Sequence, residues 1–198
     1  MSLDNTSDII TKFGLYFGDD TSLSSDEALD LCQKKYEDIL QSEEWEFLKK
    51  EATGTVAGTD ITQPTDFNRL TVDQNIYIGS AFSPRSQIPF ENRRNFNNQK
   101  GYFYYDARQE KFVFTTSEND SYSFDYIYTP PALDTTSSNP VFPKRFYDII
   151  YHAMLIDADV INLSDKARSY MSVNQSLYES GLASMKSWNK KLSGLNHY

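Results

Sequence analysis

The chain has 198 residues, 39% hydrophobic and 15% aromatic, with a formal net charge of −9. That length and apolar content allow one cored domain, or one with a sizeable insertion, while the charge argues against intrinsic affinity for nucleic acid, which comes mainly from Lys and Arg neutralising phosphates. No run of about 18 apolar residues exists to cross a membrane, the first eight residues lack the basic and apolar regions of a signal peptide, and the single Cys32 excludes an intrachain disulfide, as suits a reducing cytosol.

Residues 1–22 read as an N-terminal arm: Phe13, Leu15, Tyr16 and Phe17 sit among Gly14, Gly18, Asp19 and Asp20 without a long period. The first predicted helix begins at a capping box, with Ser24 three residues before Glu27. Ala28, Cys32, Tyr36, Ile39 and Leu40 then recur at helical spacing on one face. Cys32 on that face reads as a small core residue rather than a nucleophile. The helix ends near Gln41 and the chain turns into Trp45, Phe47 and Leu48.

From Glu51 the pattern is that of strands. Residues 53–59 are small and β-branched, Pro64 stops a strand, a turn over 65–67 leads into 69–72, and 75–78 is another strand. Residues 79–100 read as loop, with Pro84, Pro89 and an Asn-rich basic patch containing Arg93, Arg94 and Lys100. Residues 102–105 and 112–115 form an aromatic hairpin around a polar turn, and Tyr122, Phe124, Tyr126 and Tyr128 alternate as a third strand. Fourteen Tyr and 13 Phe serve either as fillers of such a sheet or as contacts to other proteins.

A Ser/Thr linker spans 133–139. Phe146, Ile149, Ile150, Ala153, Ile156 and Val160 form the stripe of a helix with Pro143 at its start. After a break at Asn162-Leu163-Ser164, with Ser164 as N-cap, Ala167, Tyr170, Met171, Leu177, Tyr178, Met185, Trp188 and Leu192 come close to a heptad seam, and Gly194 is expected to end that helix. The fold class is α+β: a small helical bundle with an inserted antiparallel β domain. The arm is 1–22, the bundle 23–50 and 140–192, the β domain 51–133 and the C-terminal tail 193–198.

Chemistry-bearing constellations are missing from the sequence. It has no phosphate loop, dinucleotide fingerprint, nucleophile elbow or Cys/His ligand spacing. Of the two histidines, His152 reads as a half-buried helix residue and His197 lies in the tail. Asp157 and Asp159, two apart on a helix, point to different faces. The expectation is no enzyme, no cofactor and no metal. Asn5, Asn119, Asn162 and Asn174 head chance glycosylation triplets.

Four stretches carry a family resemblance. They are Trp45-Glu46-Phe47-Leu48-Lys49-Lys50-Glu51-Ala52-Thr53, Pro64-Thr65-Asp66-Phe67-Asn68-Arg69-Leu70, Tyr126-Ile127-Tyr128-Thr129-Pro130-Pro131-Ala132-Leu133, and Pro140-Val141-Phe142-Pro143-Lys144-Arg145-Phe146. Their order and spacing over about residues 23–190 resemble the head-to-tail connector proteins of tailed bacteriophages, which include tail accessory factors and tubular tail A proteins. The resemblance implies a structural virion protein at the neck, present in the host cytoplasm during assembly, which forms a homo-oligomeric ring, a dodecamer matching the portal. Its partners would be the portal protein and a tail or nozzle protein, with DNA passing through the lumen without specific binding. It places the portal interface at Trp188, Lys190, Lys191, Leu195 and Tyr198, and the fold anchors at Trp45, Asp66, Phe67, Tyr128 and Phe146. Without the resemblance, the residues alone also fit a non-enzymatic protein- or glycan-binding module with an aromatic β domain.

Overall fold

The computed structural model describes residues 3–17, 24–135, 137–162 and 165–195, and the side chains of 159–169 and 195 lie outside that description. Helices and strands are mixed, and the chain divides into two compact units: residues 1–47 with 131–198, and residues 48–130. The sequence of the second falls between the two segments of the first.

The helical unit holds α1 (Thr6–Phe17), α2 (Ser25–Gln41), α3 (Tyr147–Asn162) and α4 (Asp165–Leu195). α2 begins at its capping box: the Glu27 N–H donates to Ser24 Oγ at 3.3 Å and the Ser24 N–H to the Glu27 carboxylate at 2.7 Å. Its buried residues are those of the expected face, Ala28, Cys32, Tyr36, Ile39 and Leu40. Burial pushes the Cys32 thiol up to about 12, so the reactive thiolate is suppressed. α3 packs against α1, α2 and α4, and Tyr147, Ile149, Ile150, Tyr151, Ala153, Met154, Leu155 and Ala158 are buried there, while Asp148 stays exposed.

Two segments depart from the sequence expectation. The N-terminal arm is instead largely α1, which buries Ile9 and Phe13 one turn apart and packs on α2 and α3. The expected linker is tied down as well. The N–H and hydroxyl of Thr6 donate to the Ser138 carbonyl at 3.2 and 2.7 Å, and the Leu133 N–H donates to Gln33 at 2.5 Å.

α4 carries a regular seam, in which Met171, Asn174, Tyr178, Gly181, Met185, Trp188 and Leu192 are each at least partly buried. Their 3,4 spacing is that of a and d positions. Leu177, expected on the seam, is 47% exposed, because the polar Asn174 and side-chain-free Gly181 occupy the slots that face inward. The helix passes through Gly194 to Leu195, since Gly194 does not take the left-handed conformation of a helix stop. The expected break at Leu163–Ser164 and tail residues 196–198 lie outside the described residues.

The β unit holds β1 (Lys49–Thr62), β2 (Phe67–Leu70), β3 (Asn75–Ile78), β4 (Ser83–Gln87), β5 (Tyr102–Asp106) and β6 (Lys111–Tyr128). One edge of β6 pairs antiparallel with β1; the other pairs in turn with β2, β3 and β5. β3 pairs with β4, and β4 runs parallel to β5. The circuit β6–β3–β4–β5–β6 therefore closes, giving a barrel-like sheet around Val56, Ile76, Phe103, Phe112, Phe114 and Phe124. The second strand of the expected hairpin and the expected third strand are one continuous element, β6, and the expected loop of 79–100 contains β4. The β1–β6 register breaks between Gly58 (φ +127°) and Asp60, where Thr59 alone lies opposite residues 114–117 of β6. Such bulges bend a strand and open its surface. Among the described residues, no helix is long and apolar enough to cross a membrane.

Candidate interaction surfaces

The C-terminal half of α4 is held by an aromatic clamp within the helical unit. Trp188 stacks on Phe47 (centroids 5.7 Å apart) and lies against Phe146 at 5.4 Å, with the Arg145 guanidinium 5.4 Å from its ring. Asn189, buried beside it, accepts from the Glu46 N–H at 2.7 Å and donates to the Glu44 carbonyl at 2.9 Å. Trp45 is fully buried; its indole N–H donates to the Ile39 carbonyl at 3.1 Å, closing α2. These contacts fix where the last turns of α4 project. Lys190 and Lys191 are exposed there, one turn before the last turn of α4. Of the expected portal residues, the fold brings Trp188, Lys190 and Lys191 onto one stretch of α4 but turns Trp188 toward its own chain. The side chain of Leu195 and all of Tyr198 lie outside the described residues.

Asp66 sits at the centre of a polar knot in the β unit. Its carboxylate accepts from Lys50 Nζ at 2.6 Å and from the Tyr126 hydroxyl at 2.8 Å, while its carbonyl accepts from the Thr129 N–H at 2.7 Å. The Lys50 and Tyr126 bonds hold the carboxyl below the usual carboxylate range. Burial, aided by the bond to Asp66, pushes the Tyr126 phenol up to about 12. Lys50 Nζ also lies 4.2 Å over the Tyr128 ring, and Phe67 packs edge-on to Phe112 at 5.2 Å. The two quoted stretches Pro64–Leu70 and Tyr126–Leu133 thus meet at this knot.

An open cleft of about 590 Å³ lies on the β unit beside the β1–β6 bulge, lined among others by Thr59, Arg93, Arg94, Asn97, Asn98 and Ser117. None of its lining residues is a carboxylate. The Arg93 guanidinium is 3.8 Å over the Phe90 ring and donates to the Phe90 carbonyl at 2.8 Å, which fixes its direction. Arg94 is exposed. His152, in α3, meets Asn174 of α4 at 3.2 Å, and burial keeps it below the usual imidazole range. Asp157 is paired with Lys35 at 2.6 Å. Among the described residues, no group of three His, Cys, Asp or Glu side chains could hold a metal ion.

The model of the SU10 adaptor protein family matches residues 4–195. The chain belongs to the SU10 adaptor protein family. This SU10-type adaptor is therefore a phage structural protein and a virion component, of a kind that is normally non-enzymatic. No curated protein matches the chain.

Two structural devices of the adaptor escape sequence reasoning. Arg85 of β4 and Glu118 of β6, 5% and 7% exposed, form a two-pronged ion pair at 2.6 and 3.1 Å, and Arg85 also donates to the Ser83 carbonyl at 3.2 Å. Asn189 is the second. Isolated polar residues carry no periodic signal, and their partners lie 33 and more than 140 positions away.

Proposed function

We propose that this adaptor is a head-to-tail connector: a small helical bundle with an inserted β domain, assembled as a ring of identical subunits, a dodecamer, in the virion neck between portal and tail. The family match over nearly the whole chain carries the reading, and two features of the molecule support it. Residues 1–47 with 131–198 hold 18 carboxylates against 10 lysines and arginines, a net charge of −8, whereas residues 48–130 hold 10 against 9, a net of −1. A ring whose lumen is lined by the acidic helical part lets DNA slide without binding, because there is little cationic surface to neutralise phosphates.

The second feature is the clamped end of α4. Trp188 acts through the chain's own Phe47 and Phe146 to aim the helix. The portal contact then falls to Lys190, Lys191, Leu195 and Tyr198, with the lysines facing acidic portal surface. Truncation after Leu192 tests this. The shortened protein should keep the melting temperature of the full chain yet be missing from portal-bearing heads. Normal incorporation and normal infectious titre would refute the portal assignment. A virion reconstruction that located the chain away from the neck would refute the connector reading itself.

A further inference from the structure

We propose that the Arg93–Arg94 cleft receives the carboxylates Asp26 and Asp30, from the first two turns of α2 of a neighbouring copy of this chain. The proposal rests on the ring reading above and names one contact between adjacent subunits.

Charge supplies the first argument. The cleft presents two guanidiniums together with Asn97, Asn98, Thr59 and Ser117 as further hydrogen-bonding groups, and no carboxylate. Neither arginine makes an ion pair with a described residue. Arg93 is already oriented by the Phe90 ring and carbonyl, so little side-chain freedom remains to be lost on binding. The ligand class is an anion able to take two forked donors, which a pair of carboxylates satisfies.

The second argument comes from the other side of the contact. Asp4, Asp38, Glu43, Asp148 and Asp157 are all engaged in ion pairs within their own chain. Among the described carboxylates of the helical unit, Asp26 and Asp30 alone make neither an ion pair nor a hydrogen bond. Both are exposed, and at i, i+4 they lie on one face about 6 Å apart.

Symmetry favours the same pairing. A cleft on one unit meeting a helix on the other is a contact between two different surfaces, the kind that closes a ring of identical subunits. Nucleic acid is the less suitable occupant. The cleft is one concavity rather than a track of cations, and the net charge of −9 repels a polyanion.

The test is charge reversal by complementation of a phage lacking the gene, scored by copies of this chain per purified particle and by infectious titre. Arg94→Glu, Arg93→Glu/Arg94→Glu and Asp26→Lys/Asp30→Lys should each lower both measures by about tenfold or more, because like charges then face each other. Arg94→Glu alone leaves the Arg93–Phe90 contact untouched and keeps the test valid if the double change perturbs the loop. Combining Arg93→Glu/Arg94→Glu with Asp26→Lys/Asp30→Lys exchanges the charges on both sides and should restore both measures to within about threefold. The purified single-side variants should melt as the parent does.

Full incorporation of either reversal, or failure of the combination to restore it, overturns the contact while leaving the ring reading in place. A purified variant whose melting temperature falls and is recovered by the combination shows a contact within one chain and also overturns it. Retardation of a DNA duplex that is lost in Arg94→Glu identifies the cleft as a phosphate site and overturns it too. Absence of the parent chain from particles removes the ring reading and this contact together.

Discussion

Gly181 and Gly14 are both helical glycines, and replacing each by alanine should shift stability in opposite directions. In α1, a Cβ on Gly14 meets nothing within 4 Å, so Gly14→Ala gains the intrinsic helix preference of about 1 kcal/mol. In α4, a Cβ on Gly181 would come 2.8 Å from Ile149 Cγ1. That atom is bonded to the branched Cβ of a side chain only 2% exposed, so it has little room to swing aside. Overpacking of this kind costs about 1–3 kcal/mol; set against the same helix gain of about 1 kcal/mol, Gly181→Ala should be destabilising by up to about 2 kcal/mol. Ile149→Ala alone should cost about 2–5 kcal/mol through lost burial and a cavity. In that background the added methyl has room, and Gly181→Ala should become stabilising. Thermal unfolding of the four proteins of this cycle, followed by helical circular dichroism, measures the coupling. Each kcal/mol moves the midpoint by about 2–4 °C in a chain of this size. A Gly181→Ala change that stabilises the parent protein as much as Gly14→Ala does would show that α3 and α4 are not packed closely at this point.

Two further outcomes are expected in the β unit. Breaking the Arg85–Glu118 pair by Glu118→Gln should destabilise it by about 3–5 kcal/mol, because a buried guanidinium loses its partner, whereas Arg85→Met/Glu118→Leu should cost far less; calorimetry of both variants distinguishes a paired from a solvated site. The Asp66 carboxyl is depressed in the fold by Lys50 and Tyr126, so its contribution is complete above the ordinary carboxylate range near 4 and is lost as pH falls through the lower folded value. Asp66→Ala should flatten that acid limb in a pH series of urea midpoints. Weakened assembly with an unchanged melting temperature would instead mark Asp66 as a contact residue.

Local chemistry was enough to read several parts of this protein from its sequence. The box at Ser24 and Glu27 starts α2, and its apolar spacing names the buried face down to Cys32, because both signals are complete within one or two turns of chain. The aromatic hairpin and the turn after Pro64 were legible for the same reason. The order of the four quoted stretches also pointed to a structural protein of bacteriophages, and the chain belongs to a phage adaptor family.

Where distant partners decide, the sequence was silent or misleading. Residues 83–87 become a strand despite Pro84 because β3 and β5 flank them, and the polar residues 118–121 stay within β6 because β1 pairs along them and Arg85 neutralises the buried Glu118. α1 was hidden behind glycines and aspartates, although Ile9 and Phe13 find their core on α2 and α3. On α4 the inward slots go to Asn174 and Gly181, and the apolar Leu177 faces solvent, because the position of α3 sets which stripe is covered. The cleft beside Arg93 and Arg94 borders the place where Thr59 faces four residues of β6 across a bulge, a mismatch between two strands more than fifty residues apart that neither segment encodes alone.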